Sequence, residues 1–175
     1  MGILEKIFGR EKRPNNINGA LEDMSHMLTQ YKEDPTFGVE ILHGFSLDFS
    51  IDSLMNINGY LDIVRERQNE ISPGDLQKVV LRAGAYVGEV LRKHSSSRKY
   101  DWYDFNGACT LVPQIAQFGR NLATAAVLVD ENGGVVFPMG KVGKYIENGS
   151  EDDLQFYAQV LISQDGAVGD GTASN

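Results

Sequence analysis

The chain has 175 residues, a formal charge of −8 at neutral pH and one cysteine, Cys109. That length fits one domain with a real core, and a lone cysteine excludes both an intrachain disulfide and a cysteine-rich zinc site. The acidic balance argues against nucleic acid as the main ligand, since neutralising phosphates needs a basic surface, and suits a basic protein partner better.

Three segments are expected: an amphipathic stretch and linker over 1–16, one α+β domain over 17–163, and a small, polar, disordered tail over 164–175. In the first, Ile3, Leu4, Ile7 and Phe8 share a helical face and Arg10, Lys12 and Arg13 follow. Such a segment can rest weakly on an anionic membrane surface. Lys6 stands where an N-myristoylation signal needs Ser or Thr, and the first residues lack the apolar core of a secretory signal. No apolar run reaches the roughly 18 residues of a membrane-spanning helix. The expected location is cytoplasmic, peripheral at the inner membrane if the first segment engages lipid.

Leu21, Met24, Leu28 and Tyr31 recur at helical spacing and predict a helix from about Gly19 to Lys32, ended by Asp34-Pro35. Alternation over Phe37 to Phe49 predicts one or two short strands. A helix with Leu54, Ile57, Leu61 and Val64 on its buried face follows Ser50 or Ser53 and runs through Glu70. Ser72-Pro73 then opens a long helix to His94, serine suiting the cap and proline the first turn. Its apolar face is Leu76, Val80, Ala83, Val87 and Leu91, and the two helices are expected to pair antiparallel across a turn near Ile71 to Gly74. Gly84 and Gly88 lie four residues apart in this second helix. Each costs about 1 kcal/mol relative to alanine, so the pair predicts the close approach of another backbone or an aromatic ring.

Beyond Ser95 to Ser97 the pattern becomes strand-like. Tyr100, Trp102, Tyr103 and Phe105 predict a strand, and Leu122 to Val129 a second. Asp130 to Gly134 supplies a turn to a partner strand over Val135 to Phe137. Pro138 starts a short helix closed by Asn148-Gly149. Ser150 with Asp153 approximates a capping box for a last helix whose stripe is Leu154, Tyr157, Val160 and Leu161. The fold class is α+β: an antiparallel helix pair on a small antiparallel sheet, with further N- and C-terminal helices.

Several short words stand in this order: Leu47-Asp48-Phe49-Ser50, Gly84-Ala85-Tyr86-Val87-Gly88-Glu89-Val90, Trp102, Phe137-Pro138 with Lys141-Val142, and Asn148-Gly149-Ser150-Glu151-Asp152. Together they resemble a family of small bacterial proteins catalogued only as a domain of unknown function, over roughly Leu47 to Leu161. The resemblance implies an α+β fold and a bacterial source, and brings no reaction or ligand with it. Where that family tends to place a glycine-rich link before the tryptophan, this chain has Ser95 to Lys99.

No catalytic signature stands out. Glu89, a carboxylate beside Gly88, is a weak candidate for acid or base work in a helix-sheet cleft, although Arg92 and Lys93 follow at helical ion-pair spacing. His26, His43 and His94 lie apart, without metal-ligand spacing; His43 with Asp48 lacks a nucleophile motif, and Cys109 lacks an activating partner. Gly140-Lys141-Val142-Gly143-Lys144 lacks phosphate-loop spacing and reads as a helix start. No cofactor or metal is expected. The binding candidates are Trp102, Tyr103, Asp101 and Asp104, an acidic aromatic group of the kind that anchors interfaces. The expectation is a non-catalytic protein-binding module, one form of it an immunity- or antitoxin-type protein; the alternatives are a peripheral membrane or scaffold protein and an enzyme using Glu89.

Overall fold

The glycine-bearing stretch folds as the central helix of the molecule. The structure, a computed structural model, describes residues 14–166. The chain runs through α1 (Asn18–Gln30), α2 (Leu54–Glu66), α3 (Pro73–His94), β1 (Asp101–Asp104), α4 (Phe105–Leu111), β2 (Ala126–Val129), β3 (Val135–Val136), α5 (Pro138–Asn148) and α6 (Leu154–Gly166). Short 3-10 turns occupy Val39–Gly44, Gln68–Glu70, Pro113–Phe118, Leu122–Thr124 and Gly149–Asp152. The α+β class holds: helices surround a three-stranded antiparallel sheet in the order β1-β2-β3. No described helix is long and apolar enough to cross a membrane.

Helix α3 begins as its sequence predicts. Ser72 caps it, its hydroxyl accepting from the Asp75 amide at 3.1 Å, and Pro73 takes the first helical position. Arg92, Lys93 and His94 fill the last turn, where cations suit the helix dipole. From Val79 to Leu91 every residue but Leu81 is buried, so the helix needs neighbours on all sides. Gly84 admits α5: a Cβ there would stand 2.9 Å from the Met139 Cα. Gly88 admits β1, since a Cβ there would overlap the six-membered ring of Trp102.

The antiparallel helix pair exists, but its second member is α1. Asn18, at the start of α1, bonds to Asp101 and Trp102 just beyond the end of α3, whereas Asp34 and Thr36, beyond the end of α1, bond to Lys78 and Arg82 near the start of α3. Helix α2 instead packs against α5 and α6. A short connection therefore did not make α2 and α3 closest neighbours, because α3 buries its whole circumference against α1, α5 and the sheet.

The strands expected between Phe37 and Phe49 are absent. Gly38 takes a left-handed φ of 67° and launches the 3-10 turn Val39–Gly44. A three-residue turn stacks positions i and i+3, and its buried residue is Leu42, three after Val39 and out of step with the alternation of Phe37, Val39 and Ile41. The strand expected from Leu122 starts only at Ala126; before it, Asn121 and Thr124 form a reciprocal capping box around a 3-10 turn. The Asp130 turn is found: its carboxylate accepts from the amides of Asn132 and Gly134 at 2.8 and 2.7 Å, and Gly133 takes a φ of 83°. At the start of α6 the cap is Asp153, which accepts from the Phe156 amide at 2.6 Å, and Ser150 lies in the preceding 3-10 turn. That helix continues to Gly166, past the expected tail start at 164; the rest of the tail, and Ile3, Leu4, Ile7 and Phe8, lie outside the described residues.

The sheet carries side chains into two apolar clusters. Trp102, Leu128 and Val136 join the main helical core. Tyr103, Val127 and Val129 point the other way, into a smaller core closed by Ala108 of α4 and Ile115 of the Pro113–Phe118 turn. All four residues of β2 are buried.

The glycine contacts set an ordered series. Gly88→Ala is expected to cost about 3 kcal/mol or more and Gly84→Ala about 1–3 kcal/mol, as overpacked sites do. By contrast, Gly59→Ala and Gly143→Ala, in helix interiors with nothing within 4 Å of an added Cβ, are expected to gain about 0.5–1 kcal/mol. Urea unfolding of the four variants checks the order; equal losses at all four would contradict it.

Candidate functional site

Glu89 is buried, and its carboxylate is tied into the fold through one oxygen. One oxygen, Oε1, accepts from the Arg92 guanidinium at 2.7 Å and from the Trp102 indole Nε1 at 2.8 Å. The Trp102 ring occupies the space over Gly88, so the helix-sheet cleft that an enzyme reading required is filled by the protein itself. Arg92 also donates to the Tyr100 carbonyl, which ties the end of α3 to the segment entering β1. Among the described residues no group of three or more His, Cys, Asp or Glu is placed to hold a metal ion.

The four residues read as a binding surface are brought together, but turned to structural use. Trp102 and Tyr103 are buried on opposite faces of the sheet, because α4 and the Pro113–Phe118 turn cover the face left open in the sequence reading. Asp101 accepts from the Asn18 side chain at 2.8 Å. Asp104 caps α4, accepting from the Gly107 amide at 2.8 Å. The aromatic rings therefore offer no partner a surface, a correction to the expected interface. Asp-Phe-Asn-Gly at 104–107 held the signal, an N-cap residue before a helix, that would have revealed the covering layer.

His26 and His94 serve packing as well. Phe49 takes a left-handed φ of 61°, uncommon outside glycine, and is held on every side. Its amide donates to the Tyr86 hydroxyl at 2.9 Å, and its carbonyl accepts from His94 Nε2 at 2.9 Å. Its ring stacks on Tyr86, meets His26 edge-on and lies under the Lys93 ammonium. The Ser53 hydroxyl donates to the Ser50 carbonyl, so Tyr86 is the donor in the Tyr86–Ser53 pair. Asp48 accepts from the side chain and amide of Ser50, which hold its carboxyl below the usual range. His43 is exposed in the 3-10 turn, and Cys109 is half-buried against the smaller core.

Two features that the sequence reading missed lie on the outside. Phe45, Met55 and Phe156 are 49%, 59% and 66% exposed. The segments bearing them are tied by Asn56 to the Ser46 carbonyl at 3.2 Å and by Gln155 to Asp52 at 2.9 Å, and exposed Asp48, Asp52 and Glu151 belong to the same segments. Their signal was large apolar side chains off the buried stripes of α2 and α6. The second feature is a half-open cavity of about 420 Å³ over the start of α5, with walls of Phe118, Phe137 and Tyr157 and with Lys141, Lys144 and Asp152 at its polar side. Asp152 accepts from Asn148 and Lys141, each at 2.7 Å, and these bonds, with Lys141's charge, hold its carboxyl below the usual 3.8. Tyr157, under the Lys141 ammonium, has its hydroxyl pushed up to about 12 by burial.

No family model, curated protein or solved structure matches this chain. The functional reading therefore comes from the surfaces themselves.

Two outcomes are expected from this geometry. Glu89→Ala, which strands the indole N–H and a partly buried guanidinium, is expected to cost about 3 kcal/mol, and Glu89→Gln, which keeps an acceptor for Trp102, distinctly less; unfolding followed by fluorescence of Trp102, the single tryptophan, checks both. For Asp152 the folded pKa is depressed, so its contribution is present above the unfolded value and lost as pH falls through the folded one. Stability is therefore expected to drop below about pH 4, with a shallower drop in Asp152→Asn, measured by thermal melts across the acid range.

Proposed function

We propose that the protein is a non-catalytic binding module whose partner is a basic segment of another protein. The observation that carries this reading is the exposure of Phe45, Met55 and Phe156 on segments joined by hydrogen bonds, which we read as one acidic face. Monomeric surfaces tolerate scattered apolar residues, but three large ones on segments joined by hydrogen bonds and accompanied by three carboxylates make a binding surface rather than scatter. The net charge of −8 favours encounter with a cationic partner. The engaged state of Glu89 supports the same reading, since the only carboxylate proposed for catalysis holds Trp102 and Arg92 instead.

Met55 and Phe156 stand outside the core, so replacing them leaves the fold intact and isolates the surface. Affinity capture on the immobilised protein is expected to retain a basic protein in stoichiometric amount. Met55→Asp with Phe156→Asp is expected to weaken that complex by about thirtyfold or more, with an unchanged melting temperature. Retention of the same partner by the double variant, or no stoichiometric partner at all, would overturn the reading.

A further inference from the structure

The cavity over α5 lies apart from the acidic face and carries the opposite charge. Of its charged lining groups, Asp152 pairs with Lys141 at 2.7 Å and also feels the charge of Lys144, so one carboxylate faces two ammonium groups. Lys144 makes no ion pair among the described residues, which leaves the lining with one net positive charge inside a strongly acidic molecule. The start of α5 adds to it. Gly140, in the first turn, lines the cavity, and no side chain caps this helix, so the positive end of its dipole lies beside the cavity. The rest of the lining is largely apolar: Phe118 and Phe137 meet edge to face at 5.3 Å between centroids and form an aromatic corner, and Val135 and Ala123 add to it.

We infer that this cavity binds a small monoanion with a flat apolar body, of the aromatic carboxylate class, its ring in the corner of Phe118 and Phe137 and its carboxylate toward Lys144. The volume of about 420 Å³ falls in the range of pockets that enclose small organic ligands. Charge selects against the alternatives. A dianion such as a phosphate monoester exceeds the one unneutralised cation, and a cation meets Lys144. A neutral ring gains the apolar contact but leaves the ammonium unmatched. Lys141 is a positioning residue: clamped by Asp152 and lying over Tyr157, it fixes the polar side of the cavity without itself being free for the ligand.

The probe is 1-naphthoate, titrated against the full chain and followed by amide chemical shifts, with neutral 1-naphthamide as its match in shape. Saturable shifts centred on Ala123, Gly140 and Lys144 are expected. Naphthoate should bind about five- to tenfold more tightly than the amide, and Lys144→Glu should remove that preference while leaving amide binding unchanged. Lys144 is exposed, so its replacement does not threaten folding. Lack of saturation, shifts centred elsewhere, equal affinities for acid and amide, or an unaltered preference in Lys144→Glu would each overturn the inference. The acidic-face reading stands or falls separately, since neither Met55 nor Phe156 lines this cavity.

Discussion

The molecule depends on one contact, the Trp102 ring laid on the bare backbone of Gly88 with its indole N–H donated to buried Glu89. A flat ring on glycine sets the distance between helix and sheet at van der Waals contact, which no larger residue permits. A carboxylate in that position would be costly to desolvate alone; two donors, Trp102 and Arg92, make it tolerable. The backbone of Trp102 is tied as firmly as its side chain. Its carbonyl accepts from the Ile17 amide and its amide donates to the Asn18 side chain, so the start of α1 covers the open edge of β1. One residue thereby fixes α1, α3 and the sheet relative to one another.

The other polar residues of α3 repeat this logic around its circumference. Arg82 reaches the Asp34 carbonyl and the Thr36 hydroxyl and anchors the chain leaving α1. Tyr86 holds the left-handed backbone of Phe49, a conformation that persists only where neighbours enforce it. Glu89, Arg82 and Tyr86 thus each have hydrogen-bond partners, as low dielectric demands. The exposed apolar side chains and the open cavity lie at the periphery, on α2, α6 and the segment before α2 and over the start of α5.

What the sequence disclosed followed from local causes. Ser72-Pro73 announced the start of α3, Asp130 to Gly134 announced the hairpin, and two glycines announced close neighbours, because caps, turns and missing side chains act over a few residues. The 3-10 turn at Val39–Gly44 escaped, since over six residues a period of three is hard to tell from a period of two. The fate of Trp102 and Tyr103 escaped for a different reason. Whether a strand's second face meets water depends on what packs there, and the covering helix α4 is only seven residues long, with a pattern too brief to read. Glu89 was legible as an ion pair with Arg92, but its bond to a tryptophan thirteen residues away was not.

The two peripheral surfaces share one element. Phe156 projects from the acidic face and Tyr157, the next residue, lines the cavity; in a helix they point about 100° apart, so any rotation of α6 would disturb both. That rotation is opposed at the helix start. The Asn58 side chain donates to Asp153 at 2.7 Å and accepts from the Leu154 amide at 3.1 Å, gripping the cap residue and the first helical residue together from within α2. A doubly bonded amide with little exposure resists the small twist that would couple the surfaces. With α6 held in this way, binding at one of the two proposed surfaces would shift the other only through a ligand that favours the gripped or the released state.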